Sequence, residues 1–394
     1  MRKHIGRIRV FALAAAAAAA VVSASAARAA DAPPPAAATT KPAAGIGANW
    51  PKPDGKPADM TKPVQVFILM GQSNMVGLGK VTGGEGSLET AVKEKKKYAY
   101  LTDDAGKWAE RKDVRNVRVM QGRGGGGMQL FNNEWMVVKG TTMGPEYAIG
   151  HALGNAVDAP VMILKSCIGN RSLGWDLLPP GSERFEAEVT DRQGKATKKV
   201  FAGYKDRPDS WDADPAKGLA TPPPAQWLDK AGKPIDWYAG KQYDDDVAYA
   251  KKVLAELDKY YPGAKGYEVA GFVFWQGEKD GGNPAHAARY EQNLVRFIKQ
   301  LRKDFDAPKA KFVLATLGEA KRGDTGPGGK ILEAQLAVDG AAGKYPEFKG
   351  NVATVYSNPL SHGGSGNSHY NKNAETYMDV GEAMGKAMAD LLKE

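Results

Sequence analysis

One cysteine stands in 394 residues. Cys167 has no intramolecular partner, which excludes a disulfide framework, a zinc ribbon and a CxxC redox pair. Long apolar runs are also scarce. The uninterrupted stretch Val10–Val22 has 13 residues, mostly alanine, against the roughly 20 needed to cross a bilayer. Acids are missing from residues 1–29, where Arg2, Lys3, Arg7, Arg9 and Arg28 carry five of the nine net positive charges. The +4 left for the rest of the chain is too dilute to be a nucleic-acid footprint. What is present is material for a core. Hydrophobic residues make up 42% and aromatics 9%, which argues against a disordered chain. The length admits two or three domains, or one α/β domain with long insertions.

The N-terminus reads as an address. A basic start, a short apolar run and small residues around Ala27-Arg28-Ala29 have the order of a signal peptide, so residues 1–29 are expected to direct export to the periplasm or beyond. No later run is apolar enough to span a membrane once that segment is cleaved. Residues 30–63 are rich in Ala, Pro, Thr and Lys, including Ala-Pro-Pro-Pro-Ala-Ala-Ala at 32–38, and are expected to form a flexible linker. The folded part is then 64–394.

Five short runs, apolar on both parities, punctuate that part: Val64–Met70, Val161–Cys167, Val269–Trp275, Lys311–Leu317 and Asn351–Ser357. Such runs suit strands buried on both faces. Helical stripes lie between and after them, such as Tyr290, Leu294, Phe297, Ile298 and Leu301, or Tyr377, Val380, Met384, Ala387 and Leu391. The alternation predicts an α/β fold with a parallel sheet of five strands covered on both faces. Two stretches break the rhythm, about 78–145 and 176–241, and are expected as insertions. Their tryptophans (Trp108, Trp135, Trp211, Trp227, Trp237) either pin the insertions to the body or stack on sugar rings.

Ligands in open α/β sheets sit beyond the carboxyl ends of the strands. There the chain places Gly71-Gln72-Ser73-Asn74-Met75, then Ile168-Gly169-Asn170, Gln276-Gly277-Glu278-Lys279-Asp280, Gly318-Glu319 and Ser368-His369. A serine, a histidine, carboxylates, an amide and a glycine turn on one edge are the parts of an acyl-transfer site. Ser73 alone could equally be a helix cap. Other histidines carry less: His151 has no metal-ligand spacing, His286 reads as a solvated first-turn residue, and His362 is the one rival to His369. The GxGxxG match at Gly122–Gly127 follows a possible strand but opens no convincing helix, so it is not read as a dinucleotide site.

The motifs Gly71-Gln72-Ser73-Asn74-Met75 and Trp275-Gln276-Gly277-Glu278, with the late His369, resemble the sialate O-acetylesterase domain, the carbohydrate esterase family 6 branch of the SGNH hydrolases. The resemblance covers roughly Val64 to the C-terminus. It implies a three-layer α/β/α, flavodoxin-like fold and a serine esterase that removes O-acetyl groups from carbohydrate of sialate or xylan type, with no metal or other cofactor. It implies Ser73 as nucleophile, His369 as base, and Ser73, Gly169 and Gln276 as oxyanion donors. The chain departs from the family at Asn170, where a second glycine is common, and at Gly366, where an aspartate usually stands three residues before the histidine. The carboxylate serving His369 must then come from another strand end, and Glu278 is expected to supply it, with Asp280 and Glu319 as the alternatives. A non-catalytic sugar-binding relative and an SGNH lipase or thioesterase are the competing readings of the whole.

Overall fold

The computed structural model describes residues 46–122, 126–191 and 193–394. The expected signal peptide, and the linker up to residue 45, lie outside the described residues. Among the described residues no helix is long and apolar enough to cross a membrane.

The strands are β1 (Val64–Gly71), β2 (Gly79–Lys80), β3 (Arg111–Gln121), β4 (Met128–Met136), β5 (Thr142–Met143), β6 (Val161–Ser166), β7 (Phe185–Thr190), β8 (Ala196–Phe201), β9 (Ser210–Asp212), β10 (Tyr267–Trp275), β11 (Lys311–Ala315) and β12 (Val352–Val355). The helices are α1 (Ser73–Val76), α2 (Leu88–Lys93), α3 (Glu146–Ala156), α4 (Lys241–Ala255), α5 (Leu257–Tyr260), α6 (Glu278–Gly281), α7 (Pro284–Asp304), α8 (Pro327–Ala337) and α9 (Ala374–Leu391).

The central sheet has seven strands in the order β12-β11-β10-β1-β6-β3-β4, parallel throughout except for the β3–β4 hairpin. The five expected runs are β1, β6, β10, β11 and β12. The expectation of five strands is corrected by β3 and β4, which the first supposed insertion adds at the edge. Its alternation is weaker because β4 is an edge strand with Leu130 and Phe131 exposed, so burial imposes no clean pattern on it. The GxGxxG match falls in the turn between these two strands, which is followed by a strand and not a helix.

Alternate side chains of β1 enter different cores. Val64, Val66, Ile68 and Met70 pack with α4, α7 and α8, whereas Phe67 and Leu69 pack with α3 and α9. The sheet is thus sandwiched between two helical layers. The long helix α7 starts where Asn283 accepts hydrogen bonds from the N–H groups of Ala285 and His286, with Pro284 at its first position.

The second insertion builds a small antiparallel sheet, β7-β8-β9, over its own cluster of Trp175, Leu178, Val200 and Trp211. Its tryptophans are largely anchors. The Trp211 indole donates to Thr221 O at 3.0 Å, Trp227 meets Trp175 edge-on at 5.8 Å, and Trp237 lies under the Arg171 guanidinium at 4.5 Å.

The body begins earlier than Val64. Gly47 donates its N–H to Glu382 Oε2 at 2.8 Å, and Trp50 packs on Tyr100 with ring centroids 5.1 Å apart. The end of the expected linker is therefore docked, because one aromatic and one backbone donor find partners that composition does not show.

Candidate active site

The order of strands reverses at β1, which puts its carboxyl end at the switch point where doubly wound sheets bind ligands. There Gly71 turns the chain with φ +146, and a side chain on it would collide with the carbonyl of Trp275. Only glycine allows that approach. Ser73 follows as the first residue of α1. This short helix is held from behind by Lys165, a fully buried lysine of β6. Its ammonium donates to Met75 O at 3.2 Å and Val76 O at 2.9 Å and pairs with Glu146 Oε2 at 2.7 Å. Cations at helix C-termini stabilise them, and the Glu146 carboxylate offsets the cost of burial.

A cavity of about 940 Å³ opens over this edge, lined among others by Ser73, Gly169, Asn170, Glu278, Glu319 and His369. Gly169 lies against Ser73: a Cβ placed on it would stand 3.4 Å from Ser73 Cβ. Among the described residues, no hydrogen bond engages the N–H of Ser73 or of Gly169, so two backbone donors remain open beside the hydroxyl. His369 sits at φ +54, first of four successive left-handed residues that end at Lys372. Tyr370 anchors this turn, buried and stacked on Trp275 at 5.9 Å. Burial, and then the charge of Lys372, lower the His369 pKa, so the imidazole is neutral at pH 7. Among the described residues no hydrogen bond joins it to Ser73.

Gln276 does not face the cavity. It is fully buried, and its amide N–H groups go to Arg171 O at 2.8 Å and Asp280 Oδ2 at 2.6 Å, so the expectation that it donates to an oxyanion is corrected. The amide of this motif instead ties two strand-end loops together.

Glu278 reaches the cavity, but its carboxylate accepts from Gln72 Nε2 and, at 2.6 Å, from Asn74 Nδ2. It braces the residues on either side of Ser73 and is not bonded to His369. Burial, and then the charge of Glu319, raise its pKa to about 7. Asp280 is committed as well, accepting from the N–H groups of Leu173 at 2.8 Å and Gly174 at 2.7 Å.

Glu319 remains. Its Oε2 accepts the N–H of Gly366 at 3.0 Å, and the carbonyl of Gly366 accepts the N–H of His369 at 2.9 Å. A Cβ at residue 366 would lie 2.7 Å from that Glu319 oxygen and collide with Glu278 Oε1. The missing aspartate thus leaves space that two glutamates from other strand ends fill. The rival base His362 bonds Asp379 on α9 at 3.0 Å and does not line the cavity.

Sequence reading missed His286 and Asp209. His286 is buried, not solvated, and its Nε2 lies 2.9 Å from Asp209 Oδ1 at the far end of the same cavity. No local signal marks Asp209, since only the folding of the second insertion brings it there. Asn74 could have been found, because it stands in the same short motif as Ser73.

Among family models, the chain matches that of the carbohydrate esterases described as sialic acid-specific acetylesterases, over residues 63–203 and 228–390. No curated protein matches it. Solved structures similar to it include a protein of Arabidopsis thaliana, 17% identical with a TM-score of 0.44, covering 83% of this chain and 98% of that one. A carbohydrate acetylesterase from Xanthomonas citri is 14% identical with a TM-score of 0.42, over 82% of this chain and 54% of that one. NanS is 13% identical with a TM-score of 0.35, over 75% of this chain and 78% of that one. The family match takes in the sheet, the Ser73 turn and the His369 turn and omits only a stretch of the second insertion between them, and on that extent the chain belongs to the carbohydrate esterase family of sialic acid-specific acetylesterases.

Proposed function

We propose that this carbohydrate esterase is an exported serine enzyme that removes O-acetyl groups from sugars through an acyl-enzyme. The observation that carries the reading is the meeting of Ser73, two open backbone N–H groups and a neutral His369 in one cavity. Ser73 Oγ attacks the acetyl carbonyl carbon while His369 takes its proton. The N–H groups of Ser73 and Gly169 hold the oxyanion of the tetrahedral intermediate. The intermediate collapses as His369 returns the proton to the departing sugar oxygen, leaving acetyl-Ser73. Water, deprotonated by His369, then releases acetate and restores the serine.

Glu319 serves as the carboxylate of the histidine turn. It acts through the Gly366 peptide, while Glu278 keeps the Ser73 turn in place. The basic and apolar order of residues 1–29 supports export.

Acetate release by the purified mature protein, measured on a panel of acetylated polysaccharides with 4-nitrophenyl acetate as a control, tests the reading. Release from at least one sugar ester, absent in Ser73→Ala, is expected. Hydrolysis of longer acyl esters in preference to acetyl sugars would replace it with a lipase or thioesterase activity.

A further inference from the structure

An acetyl group needs only a small part of a 940 Å³ cavity. The remainder must receive the alcohol half of the ester, and its far wall is made by Trp175, Asn283, His286 and Asp209. Asp209 comes from the second insertion, one residue before β9, in the stretch 204–227 that the family match leaves out. This wall is therefore peculiar to the chain in a way that the Ser73 edge is not.

Its construction is specific. The His286 ring is 5% exposed, packs against the backbone of Gly174 and meets Phe201 of β8 edge-on at 5.7 Å. Its Nε2 binds Asp209 Oδ1 at 2.9 Å. Burial draws the imidazole pKa down, but the Asp209 hydrogen bond and the charges of Asp209, Asp280 and Asp176 outweigh it and hold the pKa above the ordinary value. The carboxylate is thus pinned by a buried ring, while its side chain stays 37% exposed. Among the described residues, Oδ2 has no hydrogen-bond partner. A fixed carboxylate with one oxygen committed to the protein and the other open accepts hydroxyl protons at little ordering cost.

We infer that Asp209, pinned by His286, is a specificity-determining acceptor for the hydroxyl groups of the sugar that leaves Ser73. This rests on the acetylesterase reading of the cavity. A substrate hydroxyl is the partner such a site discriminates best, since a ligand without it leaves the buried polar wall unmatched.

The test compares two esters and one product. Asp209→Ala and Asp209→Asn are assayed on a mono-O-acetylated methyl xyloside and on 4-nitrophenyl acetate, which has no hydroxyl. Binding of the deacetylated methyl xyloside is measured separately by calorimetry. The glycoside kcat/KM should fall about 10- to 100-fold more than the aryl-acetate value, chiefly through KM, with product binding weakened in parallel. Asp209→Asn keeps an oxygen for His286, so a matching loss there separates hydroxyl recognition from a collapsed insertion.

Equal losses on both esters would overturn the inference, making Asp209 structural or part of the proton machinery. So would unchanged glycoside kinetics and product binding. If the wild type hydrolyses neither ester yet binds the product through Asp209, the acetylesterase reading fails while the sugar site stands.

Discussion

The turn that carries Ser73 and the turn that carries His369 are built in opposite ways. The first is buried and rigid. Gly71 lies on a neighbouring carbonyl, Gln72 and Asn74 bond Glu278, and Lys165 caps the short helix from below. The second is a run of left-handed non-glycine residues, His369 to Lys372, each costing of the order of 1–3 kcal/mol unless its surroundings fix it. What fixes it is one buried ring, Tyr370, and the peptide of Gly366 held by Glu319 and Asn74. A nucleophile has to be placed once. A base must meet serine, leaving oxygen and water in turn, and a turn secured at one end suits that task.

The largest expected effect strikes the rigid turn without loosening it. Ser73→Ala should remove about 10³-fold or more of aryl-acetate turnover and shift the melting temperature by no more than about 2 °C. A large drop in melting temperature would show that the hydroxyl is a structural cap.

Glu278 separates bracing from proton relay. Glu278→Ala leaves the buried amides of Gln72 and Asn74 without acceptors, at about 1–3 kcal/mol each. Turnover should fall about 100-fold and the melting temperature should fall with it, with Glu278→Gln restoring much of both. A loss of about 10⁴-fold in kcat for Glu278→Gln, with folding intact, would instead return Glu278 to the role of charge partner for His369.

The His369 turn should answer differently. Glu319→Ala removes the acceptor for the Gly366 N–H and is expected to lower kcat about tenfold with KM little changed, since the base is misplaced while the sugar wall is untouched. Glu319→Gln keeps an acceptor and should retain most of the activity. Equal damage from both substitutions would mean that the negative charge, not the hydrogen bond, is what the turn needs.

The smallest effect is read from stability against pH. Burial first, and then the charge of Asp379, raise the Glu382 pKa to about 7, as burial does for Glu278. Both carboxyls bind protons more tightly in the native chain than in the unfolded one. Their contribution is complete below the ordinary carboxylate pKa and is lost as pH rises through about 7. Thermal melts from pH 5 to 8 should therefore decline. Glu382→Gln, far from both turns, should flatten part of that slope, and the slope that remains belongs to the Ser73 turn. An unchanged slope in the variant would take Glu382 out of the balance.

The sequence by itself determined the order of the β/α units, because strands buried on both faces must be apolar on both parities and helices on a sheet must carry one apolar stripe. It also determined which residues reach the carboxyl edge, since a strand end followed by glycine and serine can only turn there. Tertiary structure decided everything that depends on partners distant in the chain. Glu278, Asp280 and Glu319 are alike in sequence, three acids after two strands. Only the packing shows that Glu278 is spent on Gln72 and Asn74, Asp280 on Leu173 and Gly174, and Glu319 on Gly366. Gln276 likewise faces inward because Arg171 O and Asp280 claim its amide. Asp209 was beyond reach of any local pattern: it meets His286 across 77 positions of chain, and a hydrogen bond of that span is fixed by how an insertion folds back, not by the residues beside it.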